Sequence, residues 1–324
     1  AHMIREILEG AGWRTGMLGT VSHMTGKRTF PAENTTPESY LVQKYLAEMV
    51  EAGLQCAVME VSSQALMQSR VEGIQFDYGV FTNIEPDHIA PGEHADFTEY
   101  LECKKKLFRQ CRVGIANRDD RHFEEFTGGR TCVLETFGLS AEAELRAEKL
   151  RLISGGGRLG ISFETSGLLE FQAELSLPGR FSVYNALAAI AVCRRLGVTK
   201  ASMRQALRRV KVRGRVETVP VSERYTLLID YAHNAMSLKS LLQTLREYRP
   251  ARLICLFGCG GNRDRNRRFE MGEISGQLAD LTVITSDNPR DEEPEAIMAD
   301  IREGIRKTEG RYVEIPDRKA AVAW

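Results

Sequence analysis

The 324-residue sequence has no net charge, since 44 lysines and arginines balance 44 aspartates and glutamates. Without a field of one sign, nothing argues for nucleic acid or an anionic membrane surface as a partner. No apolar run approaches the roughly eighteen residues needed to cross a bilayer, and no secretory signal is expected. The seven cysteines (Cys56, Cys103, Cys111, Cys132, Cys193, Cys255 and Cys259) are odd in number and include no CxxC pair. No histidine stands at zinc-ligand spacing from them, so free, mostly buried thiols in a reducing cytoplasm are the expectation. Internal repeats and low-complexity segments are absent as well. What remains is an ordinary globular composition, 43% apolar and 27% charged, on a chain long enough for two domains.

The pattern of elements is α/β. "AHMIREILEGAGWRTGMLGT" predicts a helix with Met3, Ile4, Ile7 and Leu8 on one face, then a strand. "NTTPESYLVQKYLAEMVEAG" predicts a helix capped by a Thr, with Pro37 in its first turn and a stripe of Leu41, Tyr45, Leu46, Met49 and Val50. "LQCAVMEV" and "FDYGVFTNI" predict buried strands of a parallel sheet covered on both faces. Between residues 142 and 179 the period changes to two, with glycine-rich turns, which predicts an antiparallel insertion or meander. Helices return at "VYNALAAIAVCRRLG" and, capped by Thr199, at "KASMRQALRRV". From about Gly214, "TLLIDYAHN", "RLICLFGCGG" and "LTVITSDNP" predict three strands, each ending in a polar or glycine-rich loop. Ligands of open α/β sheets sit at the carboxyl ends of strands, so chemistry is expected in those loops, in series on one sheet edge.

Glu60 ends the first of the buried strands, where a carboxylate either caps the following helix or binds a hard cation near a phosphate. His88, in "TNIEPDHIAP", ends what is expected to be the neighbouring strand; a lone histidine is more often structural, but two adjacent strand ends strengthen the metal reading. Lys104, Lys105 and Lys106 follow, and a solvated helix face is the simplest account of such a run. "GCGGNRDRNRR" combines glycines, which admit close backbone approach, with arginines that match phosphate and carboxylate forks. "SDNPR" places an Asp, an Asn, a Pro-fixed turn and an Arg directly after a strand.

In order and at matching spacings, "ENTTPE", "MEVSSQAL" with "RVEG", "FTNIEPDH", "VRGRVE", "DYAHN", "FGCGGNRDR" and "TSDNPR" resemble the Mur ligase family over nearly the whole chain. The resemblance is greatest to the branch that adds the third residue of the peptidoglycan stem peptide. It implies a central ATP-binding domain to about residue 214 and a Rossmann-like C-terminal domain from 215 to 324. It also implies an ATP-dependent, cytoplasmic, monomeric amide ligase that uses Mg²⁺ and joins meso-diaminopimelate to UDP-N-acetylmuramoyl-dipeptide through an acyl phosphate. Charge develops on phosphate oxygens in both steps, so positioned cations do most of the stabilising.

By the same resemblance, Glu60 and His88 match magnesium positions. Lys104 falls on the lysine that CO₂ carbamylates into an anionic oxygen ligand, which requires a partly desolvated amine; Lys105 and Lys106 keep the solvated reading. Asn34, Thr35, Thr36, Ser62, Ser63 and Arg70 match positions that hold the nucleotide-sugar peptide. Asn185, Arg215, Asp230 and His233 match adenine, ribose and hinge positions, although Ser182 stands where an Asn is common. Asp287, Asn288 and Arg290 match the loop that receives the amino acid.

The family's Walker-type phosphate loop and uridine-binding domain would precede Ala1, and its Lys-Gly-His-Glu segment would follow Trp324. None of the three is in the sequence, so the 324 residues alone are expected not to ligate. Rival readings are a lysine-adding or folylpolyglutamate-type ligase, or a non-catalytic fragment that only binds ligand. Arg290 speaks against the first two, because it offers a fork for a second carboxylate that lysine does not have.

Overall fold

Helix α1 (His2–Gly10) opens the chain, burying Met3, Ile7 and Leu8, in a computed structural model that describes residues 1–86, 89 and 93–324. The chain folds as two units, residues 1–213 with 220–226, and residues 214–219 with 227–324. In the first unit come β1 (Thr15–Leu18), β2 (Ser22–Met24), β3 (Thr29–Pro31), α2 (Ser39–Glu51), β4 (Cys56–Met59), α3 (Ser63–Met67), β5 (Phe76–Phe81), α4 (Phe97–Arg109), β6 (Cys111–Asn117) and α5 (Phe123–Thr127). They are followed by β7 (Val133–Gly138), β8 (Leu145–Gly155), β9 (Arg158–Gly167), β10 (Phe171–Leu175), α6 (Arg180–Arg195) and α7 (Lys200–Arg209).

Two sheets form, in the orders β3-β2-β1-β4 and β10-β9-β8-β7-β6-β5. Strand β1 runs parallel to β4, with Met17 opposite Val58, while β5, β6, β7 and β8 are parallel in the larger sheet. The expected meander is β8-β9-β10, and it extends the parallel sheet antiparallel from its edge. Helix α6 is buried from Ala186 to Cys193 on every side, as a helix apolar all round must be, and it packs with α1 and α7 on the core of β6 to β10. A second cluster stacks Phe81 on Phe126, ring centroids 3.7 Å apart, beside Phe108.

The second unit contains β11 (Glu217–Val219), β12 (Leu227–Ile229), α8 (Ala235–Glu247), β13 (Ile254–Phe257), α9 (Asn266–Leu278), β14 (Leu281–Ile284), α10 (Pro294–Ile305), β15 (Tyr312–Glu314) and α11 (Arg318–Ala323). Strands β13, β14 and β15 form a parallel sheet in that order, so the chain as a whole is the α/β fold its periodicity implied. No helix among the described residues is long and apolar enough to cross a membrane.

Several local expectations change. Helix α2 starts at Ser39 with Glu38 at its N-cap and no side-chain cap bond, because Thr36 is drawn away to the β4–α3 connection. Its buried stripe is Val42, Tyr45 and Met49, and Val50 is 76% exposed. Strands β4 and β5 belong to different sheets, so the two strand ends are not neighbours in one ladder. Strand β4 is an edge strand and is only partly buried for that reason. Among the described residues strand β12 pairs antiparallel with β11 alone, so of the three loops those after β13 and β14 share a parallel-sheet edge. All seven cysteines are free, and burial pushes the Cys255 and Cys259 thiols up to about 11.

Candidate functional site

In the first unit the carboxyl ends of the parallel neighbours β1 and β4 meet. The Glu60 N–H donates to the Leu18 carbonyl at 2.8 Å, continuing the pairing one step past both strands. Thr20, in the loop after β1, donates to Glu60 Oε2 from its backbone N–H at 3.0 Å and its hydroxyl at 2.6 Å. Burial alone would push the Glu60 carboxyl up, but the Thr20 hydrogen bonds together with the positive charges of the Ala1 amine and His2 hold the group below the usual carboxylate range. A Cβ on Gly19 would lie 3.2 to 3.4 Å from that carboxylate, closer than a side chain sits comfortably.

Thr35 and Thr36, adjacent in sequence, do different work. The Thr35 hydroxyl meets that of Thr20 at 3.1 Å on the accessible side. Thr36 is 1% exposed; its hydroxyl donates to the Glu60 carbonyl at 2.8 Å and accepts from the Ser62 N–H at 2.9 Å. Arg70 donates to the Thr36 carbonyl at 2.9 Å and pairs with Glu38 at 2.9 Å. Ser62 caps α3 by accepting from the Ala65 N–H. The fold thus gathers Glu60, Thr35, Thr36, Ser62 and Arg70, while Asn34 is exposed nearby in sequence.

Helix α4 starts firmly. The Asp96 carboxylate caps it by accepting from the Glu99 N–H at 2.8 Å, and the Glu99 carboxylate accepts from the Ala95 N–H at 2.7 Å. Lys104 is partly buried on this helix, with Nζ 5.1 Å from the centre of the Tyr100 ring. Lys105 and Lys106 are not the solvated pair the sequence suggested. Lys105 bonds Glu102 at 2.5 Å with its side chain 15% exposed, and Lys106 donates to the Leu66 carbonyl in the last turn of α3 at 3.3 Å. The packing of α3 on α4 brings a cation to a helix C-terminus, where it is favoured.

One residue carried no sequence signal. His94 is 1% exposed, with Nε2 2.9 Å from the Ser63 hydroxyl and Nδ1 4.0 Å from the Glu99 carboxylate. That Nδ1 is buried without a hydrogen-bond partner, and the ring packs on Tyr100. Only the cap at Asp96 and Glu99 hinted that "EHAD" leads into a helix.

Of the three magnesium positions, His88 lies outside the described residues. Among the described residues no three His, Cys, Asp or Glu side chains converge on a point that could hold a metal ion. The donors present still suit a hard cation. Both Thr20 bonds end on Glu60 Oε2, and carboxylate and hydroxyl oxygens are the atoms a hard cation takes as ligands.

In the second unit the loops after β13 and β14 are laced together. The Gly261 N–H donates to the Asn288 carbonyl at 2.9 Å, and Arg290 Nη1 donates to the Gly261 carbonyl at 2.6 Å. A Cβ on Gly261 would collide with the Pro289 carbonyl oxygen, so only glycine permits this approach. Asp287, Asn288 and Arg290 are exposed. Arg265 and Arg268, read from sequence as ligand forks, are both taken up by carboxylates of this unit instead, Arg265 from an exposed position and Arg268 from a buried one. Arg265 pairs bidentately with Asp300 at 2.7 and 2.9 Å, and Arg268, 2% exposed, bonds Asp300 at 3.1 Å and Glu292 at 2.6 Å.

Asn185 belongs to the first unit, and Arg215, Asp230 and His233 belong to the second. Asn185 is exposed on α6, and the buried Ser182 one turn earlier donates to the Pro178 carbonyl at 2.7 Å. In the second unit Asp230 accepts from the Val216 and Ala232 N–H groups, each at 2.8 Å. Arg215 lies 5.0 Å over the Tyr231 ring, whose other neighbour is His233. Arg215, Asp230 and His233 are therefore gathered around one exposed tyrosine.

Family models match both units: "Mur ligase middle domain" over residues 1–193 and "Mur ligase, glutamate ligase domain" over residues 214–324. The UDP-N-acetylmuramoyl-L-alanyl-D-glutamate–2,6-diaminopimelate ligase of Caldanaerobacter subterraneus subsp. tengcongensis is 38% identical over 324 residues, covering 100% of this chain and 66% of that protein. The ligase of the same name from Alkaliphilus oremlandii is 39% identical over 329 residues, with 100% and 66% covered. A solved structure of a UDP-N-acetylmuramoyl-L-alanyl-D-glutamate–2,6-diaminopimelate ligase superposes with a TM-score of 0.70 at 28% identity, over 99% of this chain and 66% of that one. Mycobacterium tuberculosis folylpolyglutamate synthase shares the fold at a TM-score of 0.69 and 18% identity, over 99% and 79%. The chain thus spans about two thirds of the length of the curated relatives.

Proposed function

Because this chain belongs to the Mur ligase family, we propose that it carries the middle and C-terminal parts of a cytoplasmic, ATP-dependent ligase. The reaction joins meso-diaminopimelate to UDP-N-acetylmuramoyl-L-alanyl-D-glutamate in peptidoglycan synthesis. The observation that carries this reading is identity of 38% along the whole chain to a ligase named for that reaction, and the laced loops bearing Asp287, Asn288 and Arg290 support it.

In this reading the γ-phosphate of ATP passes to the substrate carboxylate, and the amine of diaminopimelate then displaces phosphate from the acyl phosphate. Thr35, Thr36, Ser62, Ser63 and Arg70, with Asn34, hold the nucleotide-peptide beside Glu60. Asn185, Arg215, Asp230 and His233 hold adenosine. Glu60, His88 and a carbamylated Lys104 are the residues that would hold Mg²⁺, which supplies positive charge to the phosphate oxygens. Glu60 suits this role because its carboxyl is held below the usual carboxylate range. Arg290 presents its guanidinium to the distal carboxylate of diaminopimelate, and Asp287 accepts the distal ammonium.

The test is release of ADP by the protein as encoded, with muramyl dipeptide-nucleotide, diaminopimelate and Mg²⁺. Arg290→Ala is expected to raise the KM for diaminopimelate about 10- to 100-fold, the range for losing a charged pair. An unchanged KM, or lysine as the better wild-type substrate, would overturn the substrate assignment.

A further inference from the structure

Arg290 does not hold its own place. It sits at φ +51°, and Asn262, in the facing loop, sits at φ +53°. Left-handed backbone is unfavourable for residues with a side chain and persists only where surroundings impose it. Two of the links that impose it are already described, Gly261 N–H to Asn288 and Arg290 to the Gly261 carbonyl. The third is Glu292, whose Oε1 accepts from the Asn262 N–H at 2.6 Å and from Arg268 Nη2 at 2.6 Å. Asn262 Nδ2 adds a bond to Asp291 at 2.7 Å. Arg268 is anchored in turn by Asp300 on α10, so the carboxylate of Glu292 is pinned between a buried cation and the loop after β13.

We propose that Glu292, fixed by the buried Arg268, is a positioning residue that sets the Arg290 fork and thereby the selectivity for an amino acid with a second carboxylate. Glu292 touches no substrate in this scheme. It ties the segment just after Arg290 to the loop whose carbonyl Arg290 grips. Loss of that tie frees both left-handed residues to relax, and the guanidinium leaves the orientation that a bidentate carboxylate requires. The inference rests on the ligase reading above.

The experiment compares wild type, Glu292→Ala, Glu292→Asp and Glu292→Gln in the protein as encoded. KM and kcat are measured for diaminopimelate and for lysine, along with KM for ATP and the melting temperature. Glu292→Asp keeps a charge for Arg268 but is one methylene too short to reach Asn262 as well, which guards against simple misfolding. For both the Ala and Asp variants, KM for diaminopimelate should rise about tenfold or more, as for one lost charge-assisted bond. Selectivity over lysine should fall by a similar factor, with kcat reduced about threefold at most and KM for ATP changed less than about twofold. Glu292→Gln keeps a side-chain oxygen acceptor and should restore most of the selectivity.

A merely structural role would lower melting temperature and kcat together and leave the selectivity ratio alone, and that result would overturn the proposal. So would unchanged KM and selectivity in the Asp variant. A wild-type protein that condenses no amino acid overturns the ligase reading itself, whereas an active wild type with indifferent variants overturns only the positioning role.

Discussion

Thr36→Val is the sharpest probe of the substrate-side loop, because valine keeps the shape of threonine and removes only the hydroxyl. That hydroxyl donates to the Glu60 carbonyl at 2.8 Å and accepts from the Ser62 N–H at 2.9 Å, in a residue 1% exposed. No cavity is made, so the cost is two hydrogen bonds whose partners are left only partly hydrated. At about 1 kcal/mol net for each, the loss should be ~2 kcal/mol. For a unit of this size that is a melting-temperature decrease of about 4–8 °C. Thr35→Val is the control, since it gives up a single contact between partly exposed hydroxyls and should cost no more than about 0.5 kcal/mol. Thr36→Ser retains both bonds and loses one methyl, a cost of about 0.8 kcal/mol at most. Urea unfolding followed by the emission of Trp13 reports on the first unit, because Trp13 packs against its main core and Trp324 is already 66% exposed. If Thr36→Val and Thr35→Val cost the same, or if Thr36→Val costs under about 0.5 kcal/mol, the latch described here is not what holds the loop.

Two further outcomes follow from particular groups. Burial would push the Asp119 carboxyl up, but bonds from Ser140, Leu139 and Tyr184 prevail and hold it below the usual range. A carboxyl depressed in the folded state contributes stability above its unfolded value, near 3.9, and that contribution is lost as pH falls through the folded value; Asp119→Asn should therefore flatten the acid limb of the stability curve below about pH 4, and an unchanged limb would refute the assignment. Lys104→Ala in the protein as encoded should lose ligase activity that short carboxylates partly restore by standing in for the carbamate oxygens, whereas full activity without rescue would remove Lys104 from the site.

The fold class was legible because periodicity is a local property. Apolar spacing in "MIREIL" and "YNALAAIAVC" specifies α1 and α6, and alternation between glycine-rich turns specifies the β8-β9-β10 meander. The loops after β13 and β14 were legible for a related reason: glycine, proline and charged residues directly after an apolar strand cannot continue it, so "GCGG" and "SDNPR" mark themselves. What each polar side chain does in place was not local at all. Thr36 reads as a helix cap until Glu60 and Ser62, more than twenty residues on, arrive beside it. Arg265 and Arg268 read as ligand forks until α10 supplies Asp300 and the loop before it supplies Glu292. Lys106 reads as solvated until α4 lies on α3, and His94 is silent until Ser63 is packed against it. A hydroxyl, guanidinium or imidazole bonds whichever complementary group the fold brings within about 3 Å, and for these residues that partner lies on another element. Sequence alone therefore determined which segments are helices and strands and where the polar loops between them fall; the tertiary structure decided which polar residues in those loops are bonded to other elements and which stay exposed.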